Sequence, residues 1–157
     1  MSNSPPQKFI SQIKHPSLNK LQVFLEDASI QHFIAKELTW IRSLKVRIIP
    51  PEELWGNILE TLRFLEDIRP LFGPIAIISG YRDNRSNQAV GGARKSQHLM
   101  FRALDSRPVN RNLLSNYKKY IMDYWYTHGK QKKMGIGGYP WGVHVDFDFK
   151  YRRWGRW

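Results

Sequence analysis

The chain has 157 residues, no cysteine, and 25 Lys and Arg against 13 Asp and Glu, a formal net charge of +12. That length suits one domain with a core that folds without staples. The missing cysteine excludes disulfides, thiolate ligands and cysteine nucleophiles together, so a transition metal would have to be held by His, Asp, Glu or water.

Residues 1–20, with Pro5, Pro6 and Pro16, read as an irregular N-terminal arm, and residues 21–157 as a single domain. The N-terminus lacks the apolar core of roughly 7 to 15 residues that marks a secretory signal. No stretch approaches the run of about 18 apolar residues that a membrane span needs. Cytoplasmic synthesis without a signal peptide is the expectation. From Leu21 to Ile41 the apolar residues fit short helical pieces broken at Asp27 to Ser29. Pro51, Glu52 and Glu53 open a helix whose stripe is Leu54, Ile58, Leu62 and Leu65, with Pro70 as its expected stop. Pro74 to Ile78 reads as a short strand, apolar on both faces and therefore central or covered. It delivers Ser79, Gly80, Tyr81 and Arg82 to the loop Asp83 to Lys95, which carries Gly91 and Gly92. Asn110 is a plausible cap for a second amphipathic helix through Tyr124, rich in aromatic residues that read as core and rim packing. Val143 to Phe149 alternates strictly, with His144, Asp146 and Asp148 on the face opposite Val143, Val145, Phe147 and Phe149.

Charge is unevenly spread. Residues 1–78 hold nine basic and eight acidic side chains, whereas residues 79–157 hold sixteen and five, net +11. That half attracts an anionic polymer without specifying which.

The same half carries two imidazoles and a carboxylate at useful spacing. His98 and Asp105 lie in one segment and His144 in the other. Together they form the usual ligand set of a hydrolytic zinc site with one position left for water. Asp146, two residues along the strand from His144, is the expected general base, and Asp148 the expected acid that orients an imidazole. Arg82 is placed where a guanidinium could hold a peptide's terminal carboxylate by a bidentate pair. Tyr81, Ser96 and Gln97 could donate to substrate backbone. The alternative is ordinary: HxxxxxxD is a loose pattern, two histidines can be surface residues, and an arginine among 25 basic residues can be a solvated charge.

Taken together, Ser79-Gly-Tyr-Arg82, NQAVGG at Asn87 to Gly92, Ser96-Gln-His98, Ala103 with Asp105, Gly137-Gly-Tyr-Pro140 and Val143-His-Val-Asp146 resemble the M15-like peptidases. These are zinc D-alanyl-D-alanine carboxypeptidases and murein endopeptidases that share a core with the hedgehog signalling domain. The likeness runs from the Pro51 helix to Trp154. It implies an α+β fold, a small antiparallel sheet backed by helices. It also implies one Zn2+ held by His98, Asp105 and His144, and hydrolysis of peptide bonds next to D-amino acids in peptidoglycan. Asp146 would be the general base, and Arg82 the substrate carboxylate anchor flanked by Ser96, Gln97 and Tyr81. Two positions depart from the family pattern. Phe101 stands where glycine is usual, so either the loop accommodates a ring or the ring partly fills the groove. Trp141 stands where many members carry Glu or Asp, which leaves the base role to the Asp146 of the HxD form.

The setting implied is a peptidase of cell-wall peptides, monomeric, drawn to anionic envelope polymers, and released to the wall in phage-type lysis as an endolysin. Two alternatives stay open. One is a metal-binding homologue with weak or lost activity. The other is a basic nucleic-acid-binding or virion structural protein, motivated by Arg94-Lys95, Lys130 to Lys133 and Arg152-Arg153 interleaved with Tyr and Trp. No recognised nucleic-acid motif accompanies that charge.

Overall fold

The computed structural model describes residues 15–157. Most of the expected arm, residues 1–14, lies outside the described residues. Its last part, Pro16 to Lys20, is already helical: α1 (Pro16–Asp27) begins with proline in its first turn and buries Leu18, Leu21 and Leu25. The break expected at Asp27 to Ser29 is present, with Ser29 at φ +62°. The one-turn helix α2 (Ala35–Leu38) and a two-stranded hairpin, β1 (Trp40–Ile41) with β2 (Val46–Arg47), follow.

The Pro51 helix starts as a 3₁₀ segment, Glu52–Ile58, and continues as α3 (Leu59–Phe72). Pro70 does not stop it. A proline in the last turn forgoes only one intrahelical bond, and the chain leaves the helix at Gly73, whose φ of +69° favours glycine. Leu62, Leu65, Ile68 and Phe72 form the buried stripe of α3.

Five strands make the main sheet: β3 (Ile75–Ser79), β4 (Ala103–Pro108), β5 (Gly135–Tyr139), β6 (Gly142–Asp146) and β7 (Arg152–Gly155). Their spatial order is β3-β4-β6-β5-β7, antiparallel throughout except that β5 and β7 run parallel. The sheet is therefore the small, mostly antiparallel sheet that the α+β expectation describes. β3 is an edge strand rather than a central one. Its two apolar faces are explained by cover, since α2 and β1 pack beside it and Leu38 O accepts from Tyr81 N at 3.0 Å.

After β3 the chain forms α4 (Asn84–Ala89), capped by Asp83 Oδ1 accepting from Ser86 N at 2.8 Å, so the expected loop is helical in its first half. Asn110 caps a 3₁₀ turn leading into α5 (Leu114–Tyr124), as expected, and a π turn extends it through Trp125–Gly129. Tyr117, Ile121 and Trp125 are buried against the sheet, whereas Tyr126 is exposed. One contiguous apolar cluster joins α1, α3, α5 and the sheet. Flanked by a strand on either side and backed by that cluster, β4 and β6 form a platform for the opposite face.

Candidate metal centre

Strand register brings two of the three candidate ligands together. In the β4–β6 ladder Asp105 stands directly opposite His144. His98 arrives from the loop before β4, on a 3₁₀ turn, Gln97–Met100, that Ser96 caps by accepting from His98 N at 3.3 Å. The loop is pinned from below by Asn57 Nδ2, which donates to Met100 O at 2.9 Å, and by Thr61 Oγ1, which donates to Arg102 O at 2.7 Å.

The result is a tight group. Ligand atoms of His98, Asp105 and His144 all lie within 4.8 Å of one another, and all three residues are buried. Asp105 Oδ1 is 3.2 Å from His98 Nε2 and 3.1 Å from His144 Nδ1. The outer nitrogens fix the tautomers. His98 Nδ1 lies 2.7 Å from Gly80 O, which can only accept, so that nitrogen carries the proton. His144 Nε2 lies 2.7 Å from Asp146 Oδ2, again an acceptor. Each neutral imidazole thus turns its lone pair toward Asp105 Oδ1. Two lone pairs and an anionic oxygen directed at one point repel one another unless a cation lies between them, so this donor set fits a divalent metal.

Without a metal the electrostatics divide the two imidazoles, driving His98 toward its neutral form and drawing His144 toward its protonated one. Burial pushes the His98 imidazole below its ordinary pKa, outweighing the pull of Asp105. Burial opposes ionisation of Asp105, yet the neighbouring His98 and the bonds from both imidazoles hold it far below the usual carboxylate range. His144 moves the other way: burial lowers it, but bonds to Asp105 and Asp146 and their charges win and raise it. Asp146 is lowered, its burial overcome by His144 and then by Arg152.

Around this group opens a cleft of about 830 Å³. Arg82 reaches it and is held at two points: Nη2 donates to Asp105 Oδ2 at 3.0 Å and Nε to Ser79 Oγ at 3.0 Å. Ser96 and Gln97 line the same cleft, with Val90 to Ala93 along one wall and Tyr139, Trp141 and Trp154 along another. Among the described residues, four cationic side chains, Arg42, Arg82, Lys95 and Arg152, line the cleft with a single acidic one, Asp105.

Two candidate residues lie elsewhere. Tyr81 is buried, edge-on to the Phe101 ring at 6.0 Å, and is not among the cleft-lining residues. Asp148 is exposed, beyond the end of β6, at φ +60°. Asp146 is 0 % exposed, and its oxygens accept from His144 Nε2 and, bidentately, from Arg152 Nη1 at 3.0 Å and Nη2 at 2.7 Å. This is the geometry expected of Asp148, a carboxylate orienting an imidazole, and it leaves Asp146 no free face toward the cleft. Phe101 takes the left-handed conformation at φ +51°, with its ring 0 % exposed in the core, so it does not fill the groove.

Residues 31–146 match the sequence profile of the family Peptidase M15. The chain belongs to the peptidase M15 family. No curated protein matches it. M15 peptidases are zinc-dependent, and the His98, Asp105 and His144 group of this M15 peptidase could hold such a metal. Arg152 and Trp154 lie beyond the matched span. In the sequence Arg152 stands out only as part of a basic and aromatic tail suited to phosphate contacts, although it follows Asp146 by six residues and is flanked by aromatic residues that hold a guanidinium.

Proposed function

We propose that this M15 peptidase is a zinc enzyme hydrolysing peptide bonds beside D-amino acids in peptidoglycan peptides. The observation that carries the reading is the convergence of His98 Nε2, Asp105 Oδ1 and His144 Nδ1 at the floor of a cationic cleft. His98, Asp105 and His144 would hold the metal. Zinc, when bound, supplies Lewis acidity toward a carbonyl and lowers the pKa of water toward neutrality.

The chain's own residues orient the parts. Gly80 O and Asp146 hold the two imidazoles in the tautomers that ligation needs. Arg82 fixes Asp105 through Oδ2, which leaves Oδ1 toward the imidazoles, and its remaining N–H groups can take the substrate carboxylate. Arg42 and Lys95 add positive potential along the entrance, favouring an anionic peptide. Ser96 and Gln97 offer polar contacts to its backbone. Asp146 acts here by positioning His144. To serve as base it would have to leave both His144 and Arg152.

One observation favours a second reading, a metal-binding homologue of low turnover. Among the described residues no acidic side chain lines the cleft except Asp105. The protein then lacks a free carboxylate to accept the proton of an attacking water.

Elemental analysis of the untagged protein, with cleavage assays on purified murein and D-Ala-terminated peptides, tests both. Stoichiometric zinc and cleavage abolished in His98→Ala and Asp105→Ala support the peptidase. Full activity after exhaustive chelation overturns it, and zinc without cleavage selects the second reading.

A further inference from the structure

The C-terminal segment closes the side of the site that the family match does not reach. β7 adds in parallel to β5, placing Arg152 opposite Gly135 and Trp154 opposite Gly137. Both glycines are required by close approach. A Cβ at Gly137 would stand 2.5 Å from the Trp154 ring, and one at Gly135 would stand 2.7 Å from Asp146 Oδ2 and press on the Arg152 guanidinium. The Trp154 ring in turn lies 4.9 Å from the His144 ring, tilted by 57°. Arg152 is held over two rings, 5.1 Å from the centroids of both Phe149 and Trp154. From there it meets Asp146 with two parallel N–H bonds.

We infer that Arg152 is a positioning residue of the metal centre: its bidentate hold on Asp146 keeps that carboxylate against His144 Nε2, so that Nδ1 is the nitrogen presented beside His98 and Asp105. The inference rests on the proposed metal centre and extends it to a residue of the tail. The physical case is one of satisfaction. Asp146 is fully buried, and a buried carboxylate needs its oxygens bonded in a fixed geometry. His144 supplies one bond. The remaining bonds come from Arg152, and no other side chain among the described residues bonds to Asp146. Without the guanidinium the carboxylate is free to turn or to admit water, and the imidazole loses its fixed tautomer and tilt. Lysine cannot replace it fully, because a single ammonium cannot span both oxygens in the plane of the carboxylate.

The test uses the full chain with Arg152→Ala and Arg152→Lys. Zinc affinity is read by competition with a chromophoric chelator, and the His144 tautomer of the metal-free protein by imidazole 15N NMR. We expect Arg152→Ala to weaken zinc binding about 10- to 100-fold, the usual cost of losing such an outer partner. Arg152→Lys should fall between, and added guanidinium should restore part of the affinity to the alanine variant. In the metal-free wild type, at a pH high enough for His144 to be neutral, His144 should carry its proton on Nε2, and in Arg152→Ala the two tautomers should mix. Wild-type zinc affinity in a folded Arg152→Ala overturns the inference, as does a lower melting temperature with affinity and tautomer unchanged. If alanine prevents folding, the lysine variant decides by the same two readouts. If the wild type binds no zinc, the metal centre fails, and the metal-free tautomer still tests Arg152 independently.

Discussion

Asp146 Oδ2 lies 2.7 Å from His144 Nε2, on the side of the imidazole away from Asp105. The carboxylate two residues after the last candidate ligand therefore braces that ligand from behind, instead of lining the cleft. A strand spacing of two puts both side chains on one face of β6, but their order about the metal is set by which imidazole nitrogen each neighbour takes.

Asp146→Ala separates the two roles. A positioning role predicts zinc affinity lowered about 10- to 100-fold, with turnover at saturating zinc largely recovered. A base role predicts turnover reduced by roughly 10²- to 10⁴-fold that excess zinc does not restore. Chelator competition and steady-state cleavage at high zinc, measured side by side, give the answer, and persistent loss of kcat would return Asp146 to the base role.

Phe101→Gly should destabilise the protein despite relieving a left-handed backbone. A non-glycine residue at φ +51° costs about 1–2 kcal/mol. Removing a fully buried phenyl ring costs about 3–5 kcal/mol, and glycine adds chain entropy to the unfolded state. The ring wins, so a net loss of roughly 2–4 kcal/mol is expected in urea unfolding of the metal-free protein. Unchanged or increased stability would show that the ring contributes little to the core under the loop.

Phe101 also shows how far the sequence can be read. That glycine is usual at this position was legible only through the family resemblance of the motif around it, and the alternation of Val143 and Val145 with His144 and Asp146 was legible from the period of a strand. Each depends on neighbours a few residues away. The helix end was misjudged because Pro70 costs little in a final turn, and the pattern of β3 left central and covered positions open because cover by α2 and β1 gives an edge strand the same apolar faces. The pairing of Arg152 with Asp146 was not legible, for a different reason. Which of 25 basic residues pairs with Asp146 depends on β7 joining the far side of β5, a tertiary pairing that no local period encodes.

The metal-free protein should have its stability maximum near the ordinary histidine pKa of about 6.5. His144 is raised in the folded state, so its contribution is complete below that value and is lost as pH rises through the folded pKa. His98 is lowered, so its contribution is complete above that value and is lost as pH falls through the folded pKa. Melting temperatures of the chelated protein from pH 5 to pH 8.5, taken as roughly that range around the reference value, should pass through a maximum. Zinc should remove the decline on the alkaline side by binding both imidazoles in their neutral form. A monotonic profile would mean that one histidine dominates.

Trp141→Glu should raise turnover. Trp141 lines the cleft at the β5–β6 turn, 39 % exposed, its ring stacked 5.0 Å from that of Tyr139 at an interplanar angle of 3°. It is not part of the apolar core cluster, so its loss should cost little stability. A glutamate there would give the cleft a solvated carboxylate in addition to Asp105, the one acidic group that lines it among the described residues. General-base assistance contributes about 10²- to 10⁴-fold in well-aligned sites, and an unrefined graft should reach at least about tenfold in kcat. The rise should appear as a new acidic limb in the pH–rate profile, set by ionisation of the introduced carboxyl group, while zinc affinity stays at the wild-type level. Unchanged kcat with intact zinc binding would mean that proton acceptance does not limit this cleft and that the wild-type protein already has a route for it.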